Sequence, residues 1–301
     1  MSFIDSDNFM REQLIKALIH LLAHLPLRWL HRIANWTGSY YARHDNKHSL
    51  VTRLNIARCF PQLSTDEQQQ LTKQALIEGS RTLFESCKIW LGNKEAVTAL
   101  IQQVSGEEQL KAGLARGKGV ILVAPHLGNW EMLGVYCAPR YPMTNLYRPP
   151  RMKALDNIIL QGRQRYQQKL APTDARGIRT LYQVLAKNEV IGVLPDQDPR
   201  ANSGSFAPFF GIQANTMTLL SRLALKSGAT VLLTYAERLP DSAGFHLHFL
   251  PAPAEVSSAD TQRSVAAINQ MVEEAVRTIP AQYQWNYKRF ATRPEGEAEF
   301  Y

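Results

Sequence analysis

The run Val120 to Ala124 constrains this chain more than any other stretch. It reads V-I-L-V-A without a polar interruption and is bounded by Gly119 and Pro125. A half-exposed strand alternates apolar and polar residues, whereas an unbroken short run fits a strand buried on both faces of its sheet. Such a strand needs cover above and below, and the rest of the chain supplies it. Helical patterns at 50–59, 68–91, 104–115, 153–169, 177–187, 216–226 and 261–277 interleave with strand patterns at 143–147, 190–194, 230–236 and 245–250. That alternation predicts one α/β domain. We read residues 1–10 as a loose polar start and find no internal repeats or low-complexity linkers.

Chemistry is concentrated at the carboxyl end of this strand. His126 stands just past its end, Gly128 and Asn129 supply turn residues, and Trp130 and Glu131 open a helix that Asn129 can cap. Open α/β sheets keep their sites at the carboxyl ends of strands. On a continuous helix, residues five apart do not share a face, but across a strand, turn and helix start His126 and Glu131 can fold back to meet. An imidazole oriented by a carboxylate is a general base. With 8 His and 26 Asp plus Glu in 301 residues, chance alone yields about 0.7 His-x4-acid pairs, so the spacing carries little by itself. Its position carries more, because only His126 of the histidines has an acid five residues on.

The formal charge is +8, which draws the chain toward something anionic: nucleic acid, phosphorylated headgroups or an acidic carrier protein. No helix-turn-helix and no basic face interleaved with aromatics supports nucleic acid. Arg148, Arg151, Lys153, Arg163, Arg165 and Lys169 fall within about two dozen residues. They form either a solvated basic face or a recognition surface for phosphate, carboxylate or a reacting carbonyl. P-D-Q-D-P at 195–199 is a second strand terminus carrying acids, and Phe206, Phe209 and Phe210 make a loop cluster that is a core plug or an apolar wall. GxSxG, HExxH, GxGxxG and P-loop patterns are absent, which removes the common hydrolase, metalloprotease and nucleotide-binding readings. Cys59, Cys87 and Cys137 lack CxxC spacing and predict neither a disulfide framework nor a zinc site, but a reducing compartment.

The N-terminal segment is apolar with a narrow polar stripe. Nine of twelve residues from Leu14 to Leu25 are apolar, Lys16, His20 and His24 recur every fourth position, and Pro26 interrupts before Trp29, Trp36, Tyr40 and Tyr41. No uncharged apolar run is long enough for a conventional span, so the segment reads as lying in a membrane interface or as an ordinary packing helix.

Taken together, the N-terminal L-P segment, P-H-L-G-N-W-E at 125–131, Y-R-P at 147–149, P-D-Q at 195–197, P-F-F-G at 208–211 and W-x-x-K-R-F-x-x-R-P at 285–294 resemble the bacterial lipid A biosynthesis acyltransferases, in that family's order and over nearly the whole chain. The resemblance implies a glycerolipid acyltransferase-like fold, a central mixed sheet flanked by helices, with a membrane-associating segment at 1–45 and an acyltransferase domain at 46–301. It implies fatty acyl transfer from acyl carrier protein to a hydroxyacyl chain of a phosphorylated, Kdo-bearing lipid A precursor at the cytoplasmic face of the inner membrane, without metal or cofactor. His126 would be the base, Glu131 its orienting partner and Arg163 an essential arginine, with Asn129, Trp130, Arg148 and Asp196 toward substrate. Tyr287 departs from the histidine that the family's pattern carries there. Acyl transfer to another aminolipid or glycolipid, thioester hydrolysis, and a noncatalytic membrane-binding role are the competing expectations.

Overall fold

The computed structural model describes residues 3–150, 152–199 and 203–301; Arg151 lies outside them. Helix α1 (Phe3–His24) extends through the stretch expected to be a loose start, and Pro26, which cannot donate into a helix interior, separates it from α2 (Leu27–Arg43). Helices α3 (Lys47–Cys59) and α4 (Thr65–Leu91) each begin with a capping box, Asn46 with Ser49 and Ser64 with Glu67. Leu83 on α4 is exposed. Helix α2 packs along α4 closely enough that a Cβ on Gly38 would collide with the Ile77 backbone. A short α5 (Lys94–Thr98) leads into the sheet.

The remaining elements alternate as the sequence pattern requires. In order they are β1 (Ile101–Ser105), α6 (Glu107–Ala115), β2 (Val120–Val123), α7 (Glu131–Cys137), β3 (Met143–Tyr147), α8 (Lys153–Gln164), β4 (Lys169–Pro172), α9 (Ala175–Ala186) and β5 (Val190–Val193). After these come β6 (Gly204–Phe209), β7 (Ile212–Met217), α10 (Leu219–Ser227), β8 (Thr230–Arg238), β9 (Phe245–Pro251) and α11 (Thr261–Thr278). The main sheet has the strand order β1-β9-β8-β2-β5-β3-β4. Its neighbours are parallel except for the β8–β9 pair, so the sheet is mixed. Strand β2 is central and fully buried, and the sheet separates two apolar clusters. One holds Ile121, Ile191, Val231 and the inward face of α11, the other Leu122, Leu232, Met132 and Val135.

Four local expectations are corrected. The helix expected at 104–115 is β1 followed by α6, because Gly106 adopts a left-handed φ of +81° that breaks the chain between them. The helix expected to reach 169 stops at Gln164, and residues 169–172 become edge strand β4. The expected loop at 206–210 is the β6–β7 hairpin, and the helix expected from 216 starts at Leu219. Phe209 and Phe210 point into the core against Phe60, Tyr283 and Trp285, which makes them a plug. The C-terminal tail covers this side: Trp285 and Phe290 are buried, and Arg289 donates to Asn215 O and to Thr216 Oγ1.

Candidate active site

Strands β2 and β5 are adjacent, parallel and in register, with Val123 opposite Val193. Each continues with one residue and a proline, so His126 and Asp196 emerge at the same height above the sheet. Both oxygens of Asp196 are used on His126. Oδ1 lies 2.8 Å from the imidazole Nδ1, and Oδ2 accepts from the His126 backbone N–H at 2.8 Å. Asp196 is 4% exposed. Burial alone would raise its carboxyl, but the His126 imidazole, the hydrogen bonds from His126 and the charge of Arg289 outweigh that and hold it below the usual carboxylate range. An ionised acceptor on Nδ1 fixes the tautomer with its proton there and leaves the Nε2 lone pair outward. Gln197 Nε2 lies 3.2 Å from that Nε2, and Trp130 meets the imidazole edge-on at 4.6 Å.

Glu131 does not hold His126. It opens α7 pointing toward α8, where Arg163 donates from Nε and Nη2 to its two oxygens at 3.1 and 2.5 Å. Burial would push the Glu131 carboxyl up, but the Arg163 guanidinium overrides it and His126 adds to the lowering. The orienting partner expected within the motif therefore comes from the neighbouring strand. Register brings Asp196 to the imidazole, while the helix start directs Glu131 to an arginine. Asp196, expected on substrate, is that partner.

His126, Trp130, Glu131 and Arg163 line a cavity of about 850 Å³ between one face of β2, β5 and β3 and helices α7 and α8. Leu122, Leu133, Met143 and Ile159 make its walls apolar, and Asn145 and Gln168, hydrogen-bonded to each other at 2.9 Å, also line it. Arg148 and Arg222 are exposed cations at its rim. The side chain of Lys153 is not among those described.

Asn129, expected to face substrate, is fully buried on the opposite side of the turn. Its Nδ2 donates to Glu85 Oε2 at 2.9 Å, and its Oδ1 accepts from the Glu131 N–H at 3.3 Å. The turn is tied down elsewhere too: Gly128 N donates to Gln282 O and Asn129 N to Ala236 O, each at 3.0 Å. Gly128 has φ +64°, and a Cβ there would strike Ala236 O, so both conformation and space require glycine. Behind the turn lies a charge network built largely on α4, a helix whose sequence carries no visible chemistry. Glu85 accepts from Arg238 on both oxygens and contacts His31 Nε2 at 2.6 Å, while Arg238 also reaches Glu78 and Thr82. Its hydrogen-bonded pairs are up to 160 residues apart, so no local pattern signals it.

With Nδ1 held by Asp196 and Nε2 facing an apolar cavity, His126 is placed to accept a proton from a hydroxyl or water. The amides of His126, Leu127, Gly128 and Asn129 are all committed to protein acceptors, while the Gln197 side-chain amide and the cations Arg148, Arg163 and Arg222 line the cavity.

Comparison with known proteins agrees with this chemistry. The family model for the bacterial lipid A biosynthesis acyltransferases matches residues 9–292. The chain is 28% identical over 280 residues to the lipid A biosynthesis lauroyltransferase of Escherichia coli (strain K12), covering 93% of this chain and 90% of that protein. It is 30% identical over 255 residues to the lipid A biosynthesis palmitoleoyltransferase of the same organism, covering 83% and 81%. A phosphatidylinositol mannoside acyltransferase of Mycobacterium tuberculosis (strain ATCC 25618 / H37Rv) is 24% identical over 254 residues, covering 82% and 78%. A match spanning nearly the whole chain, with an aspartate-held histidine opening on an apolar cavity, makes this protein a member of the bacterial lipid A biosynthesis acyltransferase family.

Proposed function

We propose that this acyltransferase performs a late step of lipid A assembly, moving a fatty acyl chain from acyl carrier protein to the hydroxyl of a hydroxyacyl chain on a phosphorylated, Kdo-bearing lipid A precursor. The observation that carries the reading is His126, whose Nδ1 is bound to buried Asp196 and whose Nε2 stands at the apolar cavity. In the proposed reaction Nε2 takes the proton of the acceptor hydroxyl as its oxygen attacks the thioester carbonyl. The tetrahedral intermediate then expels the carrier's thiolate, which recovers a proton from the imidazolium that Asp196 stabilises. Arg163, with its charge partly balanced by Glu131, and the rim cations Arg148 and Arg222 stabilise the oxyanion and attract the acidic carrier and phosphorylated acceptor.

The segment 1–45 is proposed as the membrane-associating part and 46–301 as the acyltransferase domain. No helix among the described residues is long and apolar enough to cross a membrane. Support for interfacial docking at the cytoplasmic face of the inner membrane comes from Leu14, Leu18, Leu21, Trp29 and Trp36, which are exposed, with Arg28 and Arg32 among them. A glycolipid acceptor of another kind is the second reading, favoured by the likeness to the mannoside acyltransferase.

The test is transfer of labelled acyl chain from acyl carrier protein to a Kdo-bearing precursor by wild type, His126→Ala, Asp196→Asn and Glu131→Ala. A heavier lipid from wild type that falls by orders of magnitude with His126→Ala supports the reading. Product that survives His126→Ala sinks the mechanism, and acylation of a mannosylated inositol lipid alone moves the acceptor to the second reading.

A further inference from the structure

At the sheet edge formed by β1, β9 and β8, three side chains that do not line the cavity converge. His246 and His248 lie two residues apart on β9, so the pleat puts both on one face. Glu237 on β8 is directly opposite His246 in the antiparallel register, and Tyr235 is opposite His248. From the other side, Ser105 on β1 is level with His248. The His248 ring stacks on Tyr235 at 4.5 Å with 17° between planes, and His248 Nε2 sits 2.9 Å from Glu237 Oε2. The His246 and His248 rings are 3.9 Å apart, and His246 Nε2 lies 2.8 Å from Ser105 Oγ.

We propose that Glu237, His246 and His248 form a binding site for a divalent transition metal of the zinc class. One ligand atom from each lies within 4.8 Å of the others, and all three residues are half-buried. A tetrahedral ion with Zn–N near 2.0–2.1 Å and Zn–O near 2.0–2.2 Å needs ligand atoms about 3.3 Å apart, so side-chain rotations on the order of 1 Å close the site. Two imidazoles and one carboxylate are a borderline-soft donor set that suits zinc and copper over magnesium or calcium, and they leave a position for water. The ligands stand on paired strands rather than a loop, which limits the entropy lost on binding. Stacking on Tyr235 orients one imidazole, and the Ser105 hydroxyl anchors the other. An ion here would pin the end of β8 to β9, one residue beyond Ala236, whose carbonyl holds the Asn129 amide of the catalytic turn.

The experiment uses the full, untagged chain in detergent, stripped with chelator, and titrates ZnCl2 by calorimetry and CoCl2 by visible absorption. One equivalent is expected to bind, with the melting temperature rising on zinc addition. His246→Ala/His248→Ala should weaken binding about tenfold or more and abolish the thermal shift. Should that variant fold poorly, Glu237→Gln, which keeps a hydrogen-bond acceptor for His248, should show the same loss. His20→Ala/His24→Ala, which removes the exposed pair one turn apart on α1, should leave binding unchanged. Full-strength binding by both the double-histidine variant and Glu237→Gln overturns the proposal, as does loss of binding in His20→Ala/His24→Ala or no one-equivalent binding by wild type.

Discussion

Arg238→Met keeps most of a buried side chain's volume and deletes its charge, which isolates what the network behind the catalytic turn contributes. Arg238 donates from Nε and Nη2 to the two oxygens of Glu85, both at 2.5 Å, from Nη1 to Glu78 at 2.5 Å and from Nη2 to Thr82 at 2.9 Å. Arg238 is 3% exposed and Glu85 1%. Glu78 keeps Arg81 at 2.6 Å after the change, so the loss falls on Glu85. Removing one partner of a buried ion pair costs about 3–5 kcal/mol because the other charge stays desolvated. His31 and Asn129 still reach Glu85, which puts the expectation near the lower end. At roughly 2 °C per kcal/mol for a domain of this size, the melting temperature should fall by about 6 °C or more.

The pH dependence identifies the cause. In wild type, burial pushes the Glu85 carboxyl up, but the charge and hydrogen bonds of Arg238, with those of His31, bring it down to about 2. Its folded value thus lies below its unfolded one, and the stability it contributes is present above the ordinary carboxyl range and lost only as pH falls toward 2. Without Arg238, burial is opposed by the contacts of His31 and Asn129 but no longer by the guanidinium, so the carboxyl rises above its unfolded value and the folded state binds a proton that the unfolded chain has released. The variant's deficit should therefore be largest near pH 8 and shrink toward pH 5. Circular-dichroism melts of both proteins at the two pH values, in one detergent, measure this. A deficit under about 1 kcal/mol at pH 8 would match a surface ion pair and refute the magnitude. A deficit that does not shrink on acidification would refute Glu85 as its origin.

Asp196→Asn can donate to Nδ1 and so favours the wrong imidazole tautomer. Transfer should fall by about 10³–10⁴ with the melting temperature little changed, and a loss under about tenfold would hand the orienting role to another group. Arg163→Lys replaces a bidentate fork with a point charge at Glu131; it should cost about 1–3 kcal/mol in denaturant melts, and combined with Glu131→Gln its effect should be less than additive. Gly192→Val places a side chain against Asn145 Oδ1 and near Met143 Cε on the cavity floor. In competition between acyl carriers of mixed chain length, analysed by mass spectrometry, the preference should move to shorter chains; an unchanged profile would show that the acyl chain does not reach this floor.

The elements are legible where a local pattern determines them, and the site is legible only in its first half. Unbroken apolar runs mark β2 and β5, and the strand end marks His126. The breaks after Ser105 and Gln164 escape the pattern because they arise from a left-handed Gly106 and from edge pairing of β4 with β3, neither of which alters apolar periodicity. The partner of His126 is hidden for a different reason: inside the motif, Glu131 is the available acid, and spacing alone points to it. Yet V-I-L-V-A-P-H at 120–126 and V-I-G-V-L-P-D at 190–196 repeat one pattern, V-I-x-V-x-P, and end in an imidazole and a carboxylate. Two such strands, once paired in parallel and in register, place their seventh residues side by side. The Asp196 contact with the His126 backbone N–H fits this origin, since strand pairing brings main chain as well as side chain within reach. Glu131 is then free for Arg163, and the acid within the motif is a second ion pair in the cavity wall rather than the histidine's support.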